Sequence, residues 1–286
     1  MDAPATPKSP SALRSCLVLM MLGCCSCCML FDCLGYLDSD NSEPPLFASP
    51  TDLGTVLVPG STSPDGAQRY TWSVEGLDPS WHQVRYGLGA SLITEIEQDD
   101  EEFGRRMHFK PISAQRFTFR APPDCLSDMR CIYAELMRLH SEPVEELGEH
   151  FLTFIRTQGL DSAQAANLII GFVQRIHYEL PGADVPFGVF PPALVPAKNA
   201  GDCDSKAVLA VMLLRQAGID AAILYSDTLE HAAVGVGLPG NGWSINEGGR
   251  AWRYVEVTAE GWPIGMIPPQ YDKPQQWTVV PQLDPE

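Results

Sequence analysis

The spacing of apolar and polar residues changes period several times along the chain, and each change marks a predicted element. From residue 69 the pattern alternates: Tyr70-Thr71-Trp72-Ser73-Val74 is β-prone, and residues 81–86, 91–96 and 115–119 predict further strands. The acidic cluster at residues 98–102 predicts a solvated turn. Beyond about residue 126 the period becomes helical. Ser141 is placed to cap a helix that has Pro143 and Glu145 in its first turn, Leu147, Phe151, Phe154 and Ile155 on one face, and an end at Gly159. Asp161 with Gln164 forms a capping-box variant ahead of a second stripe, Ala165, Leu168, Ile169, Phe172, Val173 and Ile176. A third helix, over about residues 204–217, is apolar almost all round, rich in Ala, Leu and Met, and stopped by Gly218. Alternation then returns in strands over residues 219–225, 231–238 and 251–259, with a glycine-rich hairpin loop at 239–249. Short antiparallel strands after a buried helix predict an α+β architecture with that helix packed on the sheet.

The N-terminal part follows other rules. Residues 16–31 form one apolar run, preceded by Lys8 and Arg14 and followed by Asp32, Asp38, Asp40 and Glu43. That charge asymmetry directs the N-terminus to the cytoplasm and the bulk of the chain to the periplasm or extracellular side. As a helix the run is about 24 Å long, short of a hydrocarbon core near 30 Å. Spanning would therefore also need residues 33–37; a cleaved signal is the alternative, as is lipid on Cys24 of the degenerate cleavage box Met21-Leu22-Gly23-Cys24. Residues 41–66, rich in Pro, Ser, Gly and Asp with one apolar patch at 56–58, read as a linker.

Composition narrows the function classes. A formal charge of −17 leaves no basic surface to neutralise phosphates, which argues against nucleic acid as a partner. No C-x-x-C spacing follows the N-terminal segment and no glycine-rich phosphate loop follows a strand, so neither a metal nor an organic cofactor is expected. Of nine cysteines, six (Cys16, Cys24, Cys25, Cys27, Cys28 and Cys33) lie in the N-terminal segment. In an oxidising compartment Cys125 and Cys131 are close enough to pair, and Cys203 is then the odd thiol, a candidate for reactivity.

Cys203 falls at the first turn of the apolar helix, in Gly201-Asp202-Cys203-Asp204-Ser205-Lys206. Free N–H groups and the helix dipole favour a thiolate there, while Asp202 and Asp204 oppose it. A thiol nucleophile needs a base, and the base needs an acceptor to hold its tautomer. His231 opens one following strand, with small Ala233, Gly235 and Gly237 on its face to leave room beside the imidazole. Glu256, on the face of Trp252, Tyr254 and Thr258, lies near the end of the next strand, where a hairpin brings it or Thr258 within reach of His231. Cys203 as nucleophile, His231 as base and Glu256 as orienting acid satisfy that requirement in type and order. An active cysteine of this kind is expected to alkylate well below the free-thiol pKa of roughly 8.5.

Four runs together resemble the transglutaminase-like superfamily: Phe172-Val173-Gln174-Arg175-Ile176-His177-Tyr178, Gly201-Asp202-Cys203-Asp204-Ser205-Lys206-Ala207-Val208-Leu209, His231-Ala232-Ala233-Val234-Gly235-Val236, and Tyr254-Val255-Glu256-Val257-Thr258-Ala259-Glu260-Gly261-Trp262-Pro263-Ile264-Gly265. The pattern is similar to a prokaryotic, often membrane-anchored branch. It implies a papain/transglutaminase-like core, with Cys at the start of a central helix and His and then an acid on the following strands. Glu256 stands where Asp is commoner in the superfamily, and Val257 where Pro is. The resemblance also implies an oxyanion-hole donor at Gln174, with the Cys203 backbone N–H as a second.

The expected organisation is thus a signal or membrane anchor (1–40), the linker (41–66), a small β-rich N-terminal subdomain (67–135) and a transglutaminase-like catalytic domain (136–286). The expected function is extracytoplasmic acyl transfer from a protein or peptide substrate through a thioester. Hydrolysis as a protease or amidase is preferred to amine cross-linking, with residues 180–200, including Phe187 and Phe190, as the wall of the cleft. The alternative is a membrane-tethered, non-catalytic binding or assembly module that keeps the fold.

Overall fold

The computed structural model describes residues 49–57, 67–113, 116–120 and 129–280. The apolar run 16–31, Cys24 and Cys125 lie outside the described residues. Among those described, no helix is long and apolar enough to cross a membrane. The part from Pro44 to Glu286 is one compact unit, a mixed α+β structure with two main sheets.

The first sheet has the order β1-β3-β2. Strand β1 (Thr51–Leu57) runs parallel to β3 (Trp81–Gly87), which pairs antiparallel with β2 (Gln68–Ser73). β1 corrects the expected linker: its pairing partner is some thirty residues away, so the local Pro/Ser/Gly composition concealed it. Helix α1 (Ala90–Arg106) corrects two expectations, a strand at 91–96 and a turn at 98–102. Its buried residues Ile96, Asp100, Phe103 and Gly104 follow helical spacing, and the other acidic residues of 98–102 are exposed on its outer face. A hairpin of β4 (Lys110–Ser113) and β5 (Arg116–Thr118) follows.

Three helices come next, α2 (Met129–Leu139), α3 (Ser141–Gln158) and α4 (Ser162–Arg175). Ser141 is the first helical residue of α3 rather than its cap, which is His140, and Gly159 closes the helix in the left-handed conformation at φ 63°. At α4 the expected capping box is present: the Asp161 carboxylate accepts from the Gln164 N–H (2.9 Å) while the Gln164 side chain accepts from the Asp161 N–H (3.0 Å). Midway along α4, a Cβ on Gly171 would lie 2.8 Å from Trp72 Cδ1, so glycine lets β2 approach the helix. The Trp72 indole then donates to Leu168 O at 3.1 Å.

After the short helix α5 (Leu194–Lys198) comes α6 (Cys203–Gln216), packed against α3 and α4 on one side and the second sheet on the other. This explains its lack of a polar stripe: Ala207 to Val211, Leu213 and Leu214 are all buried. The second sheet is antiparallel throughout, in the order β10-β6-β7-β9-β8. Its strands are β6 (Ala221–Ser226), β7 (His231–Val236), β8 (Ser244–Glu247), β9 (Arg250–Val255) and β10 (Thr278–Val280). β8 lies within the expected loop 239–249, joined to β9 by Gly248-Gly249, both at positive φ as a two-residue hairpin turn requires.

Strand alternation sorts the side chains of this sheet into two cores. Ile223, Ala232, Val234, Val236 and Val255 join a hydrophobic cluster that runs from Val56 to Val280. Ala222, Leu224, Ala233, Trp252 and Tyr254 form a second cluster with Trp277 and Val279 on the other face. The room expected beside His231 is therefore filled: a Cβ on Gly235 would meet Leu224 and Trp252 atoms at 3.0 Å.

Candidate active site

Cys203 is the first residue of α6, and Asp202 is its N-cap. The Asp202 Oδ1 accepts the Ser205 N–H at 3.0 Å and the Ser205 hydroxyl at 2.5 Å. Ser205 Oγ in turn accepts the Phe190 N–H at 2.8 Å, latching the loop 180–200 onto the helix start. Lys206 N–H closes the first helical bond to Asp202 O (3.0 Å), so the N–H groups of Cys203 and Asp204 belong to the open end of the helix. Cys203 is buried, and it is the free cysteine among the described residues, whereas Cys131 is disulfide-bonded.

Burial pushes the Cys203 thiol well above the ordinary cysteine range, and the charges of Asp204 and Asp202 push it further. The Ala232 backbone opposes them without prevailing. The thiol instead donates to Asp204 Oδ2 at 3.3 Å, while Asp204 Oδ1 takes the Tyr133 hydroxyl. Asp202 is itself raised to about 7, by burial and then by Asp204. Dehydration and the two carboxylates thus work against the easy alkylation expected of Cys203, while the open helix end favours it.

His231 opens β7, and the ladder between β7 and β9 is formed at Val234↔Val255, Gly235↔Tyr254 and Val236↔Arg253. Continued past the strand ends, this register sets Thr258 opposite His231 and Glu256 one diagonal step away. The His231 Nε2 lies 3.0 Å from Glu256 Oε2. That carboxylate also accepts the Tyr254 hydroxyl (2.8 Å), the Thr258 N–H (2.9 Å) and the Thr258 hydroxyl (2.6 Å). Burial alone would raise the Glu256 carboxyl, but the His231 bond and charge and the Thr258 donors outweigh it and hold it at about 2. An ionised carboxylate only accepts, so Nε2 carries a proton, and in the neutral tautomer Nδ1 is the nitrogen left with a lone pair. The Tyr271 ring stacks on the imidazole at 4.1 Å between centroids and 11° between planes, and Trp277 meets it edge-on.

The link between the two halves is Ala232, the residue after His231, whose backbone acts to lower the Cys203 thiol. Gln174, expected as an oxyanion donor, is buried behind Glu256. Its Nε2 donates to Glu256 O (2.7 Å) and to Trp262 O (3.1 Å), which engages both amide hydrogens. Phe187, expected in the cleft wall, has its ring buried against Phe103, Phe109, Phe117 and Phe119. Donor atoms of Asp202, Cys203 and Asp204 lie within 4.8 Å of one another, but Asp202 already caps the helix through Ser205 and Asp204 holds Tyr133.

Several contacts around the site go beyond the roles that the sequence suggests. Asp202 with Ser205 is an Asx cap that the spacing could have revealed. Lys206, a lone charge in an apolar run, was a second legible signal. Tyr254, Thr258 and Tyr271 act through contacts that no local pattern announces.

No protein family matches the sequence, and no curated protein is similar to it. One solved structure resembles the chain, the crystal structure of a candidate protease from Parabacteroides distasonis. The TM-score is 0.32 and the identity 16%, over 54% of this chain and 37% of that one. A likeness this slight carries neither fold nor function.

Proposed function

We propose that the chain is a cysteine-dependent acyl-transfer enzyme with a papain/transglutaminase-like core, acting on amide or peptide bonds. The observation that carries it is the buried His231–Glu256 pair at 3.0 Å, in a chain that also holds a free, buried thiol at a helix start. Because burial and the two carboxylates raise the thiol, attack and deprotonation go together. The sulfur bonds to the carbonyl carbon as its proton passes to His231 Nδ1, and the carbonyl oxygen becomes an oxyanion. The backbone N–H groups of Cys203 and Asp204 suit that oxyanion, since Gln174 is engaged elsewhere. The imidazolium, stabilised by Glu256, then protonates the leaving amine as the C–N bond breaks, leaving a thioester. Water, deprotonated by His231, attacks the thioester to give acid and free thiol; an amine in its place would give a new amide.

The Cys131 disulfide supports an oxidising, extracytoplasmic setting, with residues 16–31 as the membrane-directed segment. The raised thiol pKa is what favours the second reading, a binding module in which Cys203 is inert.

Acetylation by 4-nitrophenyl acetate tests between them. The enzyme should carry an acetyl group on Cys203 by mass spectrometry and release it to water, or to an added primary amine if it is a transferase. A wild type that takes up no acetyl group at Cys203 would leave only the module.

A further inference from the structure

Glu256 is the first residue beyond the end of β9, so no strand ladder holds its backbone. What holds it is the Gln174 amide, which donates to Glu256 O at 2.7 Å. Gln174 sits in the last turn of α4, where carbonyls have no helical donors. Two of those carbonyls, Gln174 O (3.3 Å) and Ile176 O (2.7 Å), are taken by the Lys206 ammonium. Lys206 is completely buried and lies one turn after Cys203 on the same helix. A closed path therefore runs from the helix of Cys203 through Lys206, the end of α4 and the Gln174 amide to Glu256, and from its carboxylate to His231.

An ammonium is a costly group to bury where a methionine of similar length would fill the space. Burial draws Lys206 down to about 7, with the charges of Glu256 and Glu260 acting the other way. Replacing such a buried charge by an apolar side chain is often neutral or stabilising, so packing alone does not explain its presence.

We infer that Gln174 and Lys206 are positioning residues: they tie the nucleophile's helix to the backbone of Glu256 and so fix the carboxylate, and through it the His231 ring, relative to the sulfur. This rests on the acyl-transfer function proposed above, and it assigns Gln174 a role different from oxyanion binding.

The test uses the full chain with Lys206→Met and, separately, Gln174→Met. The first readout is the low-field proton resonance of the His231 Nε2–H held by Glu256, assigned by its loss in His231→Ala. It is expected in the wild type and broadened or lost in both Met variants while thermal unfolding stays cooperative. The second is 4-nitrophenyl acetate turnover, where kcat should fall at least about tenfold with KM unchanged, as for other groups that orient a reacting side chain. Gln174→Glu, equal in size but facing two carbonyls with a carboxylate, should be at least as impaired as Gln174→Met. A wild-type resonance and wild-type kcat in the Met variants would overturn the brace. Should the wild type take no acetyl group, the acyl-transfer function falls, and the resonance still decides whether these two residues hold the pair. If Lys206→Met does not fold, Gln174→Met carries both readouts.

Discussion

The Nε2 of His231 and the Oε2 of Glu256 stand 3.0 Å apart in a buried setting where the same carboxylate accepts three further hydrogen bonds. The arrangement dictates which ring nitrogen bears the proton, and hence which one is free to act as a base. Glu256→Gln keeps the shape but lets the amide present either a donor or an acceptor to the ring. Cys203 acetylation should then fall by roughly 10²–10⁴-fold, the scale seen when an orienting carboxylate is lost. Stopped-flow release of 4-nitrophenolate measures it.

The same carboxylate sets an acid limit on stability. Its pKa is about 2 in the folded chain against 4.5 for the free side chain. The stabilisation is therefore complete above about pH 4.5 and lost as pH falls toward 2, worth on the order of 3 kcal/mol. Urea unfolding of wild type and Glu256→Gln should show a gap at pH 6 that narrows below pH 4.5.

Asp100 acts with the opposite sign. Burial and the neighbouring Glu101 raise its carboxyl to about 8, and its Oδ1 has no partner among the described residues. Charging it costs stability progressively as pH rises from about 4 to 8. Asp100→Asn should stabilise the chain by on the order of 1–3 kcal/mol above pH 8 and have no benefit below pH 4. Thermal melts at the two extremes check the sign.

Asp204 holds the Cys203 proton in place. Asp204→Asn removes the charge nearest the sulfur, so iodoacetamide should modify Cys203 roughly tenfold faster at pH 8 than in the wild type. An unchanged rate would mean that burial alone raises the thiol.

Local chemistry was what the sequence showed most clearly. The Asp161–Gln164 box, the stop at Gly159, the helix that starts at Cys203 and the alternation of the later strands each depend on residues within a few positions of one another. β1 is hidden because its stability comes from pairing with β3, and α1 because Leu92, Ile93 and Ile96 form a short apolar run that also suits a strand, although their spacing is helical. β8 is hidden because Gly248-Gly249 has the composition of a loop, and only its pairing shows it to be a hairpin turn. Cys203, His231 and Glu256 could be singled out by type and order. The engagement of Gln174 could not, since its partners Glu256 and Trp262 are 82 and 88 residues away. Nor could the upward push on the thiol, which depends on how deeply α6 is buried.

The central claim is that His231 activates the Cys203 sulfur, and the rate of Cys203 acetylation in wild type and His231→Ala tests it most directly. The account predicts acetylation confined to Cys203 by peptide mapping and slowed by at least about a hundredfold without the imidazole. Equal rates in the two proteins, or acetyl groups distributed over surface lysines with none on Cys203, would contradict it.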